Sequence, residues 1–203
     1  MTGRLLYLVD DEEAIRRSLC LMLQLAGHQV TVFDSGTAFL AAVDDLVPGC
    51  ILLDIRMPEV NGLEVQQVLA QHGIDMPIVM MTGHGDIATA VAALQAGAED
   101  FIEKPFERAK MLTAVEQACL RITDPPAYRA MAGEAGKQLA TLSEAEAAAL
   151  NTFAEGLSNQ AVASALGQDI ATVETLRANL VEKLGVAGLS DAIRIVYLAK
   201  RSA

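Results

Sequence analysis

Five polar residues fall where short apolar runs end. Asp10 and Asp11 follow Leu5-Leu6-Tyr7-Leu8-Val9, and Asp54 follows Cys50-Ile51-Leu52-Leu53. Thr82 follows Pro77-Ile78-Val79-Met80-Met81, and Lys104 comes just after Asp100-Phe101-Ile102. Three carboxylates brought together repel. At an effective dielectric of 20, two charges about 5 Å apart cost roughly 3 kcal/mol. Such a cluster keeps a proton or holds a cation. An open site of oxygen ligands suits Mg²⁺, which retains several waters. Lys104 adds a second positive charge and Thr82 a hydroxyl donor. An acceptor carboxylate, a metal clamp and charge stabilisation are the parts that phosphoryl transfer requires.

The elements that must position these groups are legible as a pattern. Over residues 1–122 the apolar runs, with Val30-Thr31-Val32-Phe33 among them, alternate with amphipathic stretches. The stretches carry Ile15, Leu19, Met22 and Leu23; Thr37 to Asp45; Leu63 to Gln71; Ile87, Ala90, Val91 and Leu94; and Arg108 to Arg121. Five strands alternating with five helices predict a parallel sheet covered on both faces, a doubly wound (βα)5 α/β fold. Such sheets keep their ligands beyond the carboxyl ends of the strands, where all five polar residues lie.

Residues 123–138, with Pro125-Pro126, Gly133 and Gly136, read as a linker, because tandem prolines stop a helix. Residues 139–203 hold no strand-like run and form a small all-α unit. Ser143 with Glu146 makes a capping box, Ser158 opens a short helix carrying Val162 and Leu166, and Gly167 is the turn. Val173, Leu176, Leu180 and Leu184 stripe a longer helix, completing a helix-turn-helix pattern. Glu174, Thr175, Ala178 and Glu182 then face outward.

Composition narrows the function classes. The net charge is −11, with −9 in residues 1–122, 0 in 123–138 and −2 in 139–203. An acidic chain does not adhere to nucleic acid through its general field, so any contact must be local. No run approaches the roughly 20 apolar residues of a membrane span. Met1 to Arg4 shows no charged-then-apolar leader, which reads as a cytoplasmic protein. Cys20, Cys50 and Cys119 sit singly in apolar runs, as small buried hydrophobes rather than a disulfide framework or a zinc site.

The motifs together resemble the two-component receiver family, FixJ branch. They are Val9-Asp10-Asp11-Glu12, Leu52-Leu53-Asp54-Ile55-Arg56-Met57-Pro58 with Asn61-Gly62, Met81-Thr82-Gly83-His84-Gly85-Asp86, Ala96-Gly97-Ala98 and Asp100-Phe101-Ile102-Glu103-Lys104-Pro105-Phe106. The resemblance implies a flavodoxin-like receiver in which Asp54 accepts phosphate from a sensor histidine kinase. It implies Mg²⁺ held by Asp11, Asp54 and the carbonyl of Arg56, with Asp10 assisting. Thr82 and Lys104 would bind phosphoryl oxygens, Lys104-Pro105 would be a cis peptide, and Phe101 would be an aromatic switch coupled to Thr82. Arg56 and His84 would tune the phosphate lifetime. Phosphorylation adds a charge of about −1.5 to −2 and is expected to favour a homodimer through about residues 86–121. A phosphatase of the haloacid-dehalogenase type would need a second carboxylate two residues after Asp54, where Arg56 stands, so no turnover enzyme is expected.

Leu142-Ser143-Glu144, Gly156-Leu157-Ser158-Asn159-Gln160, Thr172-Val173-Glu174, Arg177-Ala178-Asn179 and Lys183-Leu184 resemble the LuxR/FixJ-type helix-turn-helix. The resemblance implies a recognition helix beginning near Ala171 and docking in a major groove of promoter DNA. Asn159, Thr172, Thr175, Arg177 and Lys183 are the candidate contacts. The chain departs from that family in having Ala145, Ala147, Gln160 and Ala171 where basic residues are common. An output unit so poor in cations could instead engage a protein partner.

Overall fold

The structure, a computed structural model, describes residues 3–83 and 87–202. Its contacts divide the chain into two compact units, 1–85 with 96–125, and 86–95 with 126–203.

The first unit is built on a five-stranded sheet. The strands are β1 (Leu5–Val9), β2 (Gln29–Phe33), β3 (Cys50–Asp54), β4 (Ile78–Thr82) and β5 (Asp100–Glu103). All neighbours pair in parallel, in the order β2-β1-β3-β4-β5. This is the flavodoxin-like order, whose direction reverses between β1 and β3. Strands buried on both faces need no polar alternation, which is why β3 and β4 are buried at every position.

Alternation still divides the apolar side chains between two layers. Leu6, Leu8, Cys50, Leu52, Val79, Met81 and Ile102 share one core with residues of α1 (Glu13–Leu25) and α5 (Arg108–Thr123). Tyr7 points to the other face, where it meets Phe33 and Phe39 of α2 (Gly36–Ala42), with ring centroids 6.4 and 6.3 Å away. The last turn expected of α2 is instead a 3₁₀ turn, Val43–Asp45. Helix α3 (Gly62–Gln71) opens on Asn61, whose side chain forms a full capping box with Glu64.

The second unit is helical. Helix α4 (Ile87–Gln95) groups by its contacts with the C-terminal helices rather than with the sheet. The segment read as a linker, residues 123–138, is largely helix α6 (Pro125–Leu139). Helix α5 does stop just before the prolines, at Thr123. Pro125 and Pro126 then open α6, because a first-turn residue has no intrahelical N–H bond to lose and proline's φ already suits a helix. After it come α7 (Glu144–Phe153), α8 (Asn159–Leu166), α9 (Ile170–Leu184) and α10 (Leu189–Ala199). Ser143, Ser158 and Asp169 cap the first three of these through their side chains. Gly167 and Gly185 end α8 and α9 in the left-handed region, at φ 63° and 64°. No described helix is long and apolar enough to cross a membrane.

Candidate phosphoryl-transfer site

The polar groups at the strand ends do converge. Asp10 and Asp54 are buried, 0% and 3% exposed, while Asp11 faces solvent. One carboxylate oxygen from each of the three lies within 4.8 Å of the others. The Lys104 ammonium sits between the buried pair, 2.7 Å from Asp10 Oδ2 and 2.9 Å from Asp54 Oδ1, with Glu12 Oε1 3.7 Å away.

Each group is set by its local backbone. Asp10 Oδ1 accepts the Glu12 N–H at 2.9 Å, a turn that bends the chain from β1 toward α1. Arg16 donates to the Asp10 carbonyl at 2.7 Å and braces that turn. Thr82 ends β4 and is 3% exposed, and its carbonyl accepts the Lys104 N–H at 2.6 Å. The Lys104–Pro105 peptide is cis, as the resemblance implied.

Asp54 has a further neighbour that spacing alone did not single out. The Gly62 N–H donates to the Ile55 carbonyl at 3.0 Å, drawing the start of α3 onto the end of β3. A Cβ on Gly62 would lie 2.3 Å from the Asp54 carbonyl oxygen and 2.9 Å from Ile55 Cα. Both are backbone atoms, so glycine is required by the close approach. The pair Asn61-Gly62, three residues beyond Met57-Pro58, was the signal that could have marked it.

The electrostatics leave Asp54 poorly satisfied. Burial, against the pull of Lys104 and with the help of Asp10 and Asp11, raises its carboxyl pKa to about 6. Asp54 Oδ1 is buried, and the Lys104 ammonium 2.9 Å away is its ion-pair partner. Burial works against the charge of Lys104, but its bonds to Asp10 and Asp54 outweigh that and raise its pKa. A buried, incompletely compensated carboxylate beside two others is the donor set expected of a hard divalent cation. The residues present fit Mg²⁺.

The remaining candidates fall as follows. Phe101 is buried at 8% exposure and pairs in register with Met80, two residues before Thr82. Arg56 is exposed in the loop after β3. His84 lies outside the described residues.

In the helical unit, Val173, Leu180 and Leu184 of the expected stripe are buried and Leu176 is half-buried, while Glu174, Thr175, Ala178 and Glu182 are exposed. Asn159, Thr172 and Arg177 are half-buried and Lys183 is exposed. Two candidate contacts already have work within the fold. Lys183 Nζ lies 2.7 Å from Glu146 Oε2, and the Thr175 hydroxyl donates to the Ala171 carbonyl at 2.9 Å. Glu146 is 4% exposed, and Lys183 and the Ser143 backbone N–H hold its carboxyl down to about 2. The capping box was visible in sequence; the Lys183 partner, from another helix, was not.

An acidic pocket at the carboxyl end of a β2-β1-β3-β4-β5 sheet, followed by a capped helix-turn-helix, defines a receiver coupled to an output unit. The comparisons with known proteins agree. Residues 6–116 match the response regulator receiver domain and residues 140–196 the luxR family of bacterial regulatory proteins. The chain is 39% identical over 193 residues to the transcriptional regulatory protein FixJ of Azorhizobium caulinodans, covering 95% of this chain and 92% of that one. It is 36% identical over 197 residues to the response regulator TmoT of Ectopseudomonas mendocina, covering 97% and 90%. Crystalline full-length FixJ from B. japonicum superposes with a TM-score of 0.59 at 37% identity, over 99% of both chains. The chain belongs to the response-regulator family, as a FixJ-like, transcription-regulating member with a LuxR-type DNA-binding domain.

Proposed function

We propose that Asp54 is the phosphoacceptor of a histidine-kinase-driven switch that controls the DNA-binding output domain. The observation that carries this reading is the burial of Asp54 against Asp10 and Lys104 at the end of β3, with Asp11 beside them. A carboxylate oxygen of Asp54 attacks phosphorus, a P–O bond forms, and the bond to the donor's leaving atom breaks with its electron pair. Lys104 binds one phosphoryl oxygen and the Thr82 hydroxyl donates to another. Asp10, Asp11, Asp54 and the carbonyl of Arg56 would hold Mg²⁺, which when bound supplies positive charge to the incoming phosphoryl group.

Thr82 turning toward the phosphate alters the space beside Phe101, a local hydrogen-bond change that biases a bistable element. Phosphorylation favours a homodimer through about residues 86–121, and the dimer presents two α9 helices to promoter DNA. Arg56 and His84 modulate how long the acyl phosphate lasts. The protein acts in the cytoplasm, consumes one phosphoryl group per switching event and is no turnover enzyme.

The test is to incubate wild type and Asp54→Ala with acetyl phosphate and Mg²⁺. Intact mass, sedimentation and duplex binding are then measured on the same samples. Wild type gains one phosphoryl group, sediments as a dimer and binds DNA more tightly; Asp54→Ala does none of these. Equal labelling of Asp54→Ala, or labelling undiminished by chelation, overturns the reading of the site. Labelling and dimerisation without any duplex binding would leave the output with a protein partner instead.

A further inference from the structure

The opposite end of the sheet holds a second reactive pair. Cys50 is the first residue of β3 and Cys119 lies near the end of α5. They are 1% and 3% exposed and belong to the same packed core cluster. Read singly in the sequence, each is a small hydrophobe; the fold makes them neighbours. Both line a cavity of about 390 Å³ together with Arg4, Gly49 and Leu120. Arg4 donates to the Glu116 carbonyl at 2.5 Å, which fixes it beside α5. Cys20 lines a different cavity, with Arg16, Leu21 and Val32.

We propose that Cys50 and Cys119 are a reversible dithiol–disulfide site, oxidised by small disulfides of the glutathione class that enter through the Arg4-lined cavity. The two thiols are unequal. The neighbouring Cys50 thiol lowers the Cys119 pKa against the effect of burial, and the charge of Arg4 lowers it further, against a smaller opposing push from Glu116. Cys50 is pushed well up by the neighbouring Cys119 thiol and by burial. Cys119 is therefore the attacking thiolate. Its sulfur displaces one glutathione thiolate from the oxidant and forms a mixed disulfide. Cys50 then gives up its proton and attacks Cys119 Sγ, and the second glutathione thiolate leaves. Two protein thiols lose two electrons and two protons; the oxidant accepts them and becomes two thiols.

The experiment uses the full reduced chain in native buffer with glutathione disulfide. The remaining thiols are then alkylated and the protein read by intact mass and peptide mapping. Wild type and Cys20→Ala lose two hydrogen masses, keep Cys50 and Cys119 unalkylated and linked, and recover both thiols with dithiothreitol. Cys50→Ala stops at one glutathione adduct on Cys119, and Cys119→Ala acquires none. Three alkylatable thiols remaining in wild type, or loss of Cys20 in place of the pair, overturns the proposal. The wild-type map decides the matter even if a core variant does not fold. Asp54→Ala oxidises like wild type, which keeps this result separate from the phosphoryl chemistry.

Discussion

Charged side chains have different fates in the sheet unit and in the helical unit. In the first, Asp10, Asp11, Asp54 and Lys104 come from three strand ends onto one point, buried except at Asp11, and one cation cannot satisfy three anions. In the second, the charges are spent on the fold. Asp169 caps α9, and Glu146 closes a capping box while holding Lys183. The incompletely compensated cluster has capacity left for a ligand; the satisfied ones act as scaffold. A sequence scan weighs an aspartate before a helix the same way in both places, so burial and partner count make the distinction.

The contrast is sharpest at glycine. Gly62→Ala would press a methyl group onto the backbone of Asp54 and is expected to cost about 2–3 kcal/mol by urea denaturation, with slower labelling by acetyl phosphate. A neutral substitution there would break the view that α3 holds the acceptor by close approach.

The next effect concerns DNA. Removing one cation that neutralises a DNA phosphate lowers the slope of log affinity against log salt by about 0.9. Arg177→Ala should show that decrease in a salt-titrated binding assay. Lys183→Ala should lower the slope less, because its ammonium is already matched by Glu146. Equal slopes would mean that Lys183 leaves Glu146 when DNA binds.

Acid should separate the two units more gently. The Glu146 carboxyl is held at about 2, below its ordinary 4.5. A depressed carboxylate stabilises the fold above its unfolded pKa and loses that contribution as pH falls from about 4.5 toward 2. Glu146→Gln preserves a capping-box side chain without the titration. Thermal melts across that window should therefore fall less steeply for Glu146→Gln than for wild type, and parallel curves would remove Glu146 as an anchor. The smallest expected change is a gain. In α6, a Cβ on Gly133 meets nothing within 4 Å, so Gly133→Ala should stabilise by about 0.5–1 kcal/mol in the same urea assay.

Strand ends were legible because buried parallel strands are continuous apolar runs, and the polar residue closing each run marks the ligand edge. Asp10, Asp54, Thr82 and Lys104 could be placed on that edge from the sequence alone. Pro125-Pro126 marked the end of α5 but not the start of α6, since the property that ends one helix also begins the next. Gly62, the Glu146–Lys183 bridge and the shared packing of Cys50 and Cys119 depend on tertiary approach between elements, which local pattern does not encode. The capping residues Ser143 and Ser158 were readable because an N-cap acts only within its own first turn.

Strand β3 carries Cys50 at its first position and Asp54 at its last. Four residue steps of about 3.3 Å put the two only about 13 Å apart. Encased on both faces, the strand behaves as a short stiff rod with a sulfur at one tip and a carboxylate at the other. Such a rod has little room to bend, so a substitution that shifts the backbone at one tip is expected to be felt at the other.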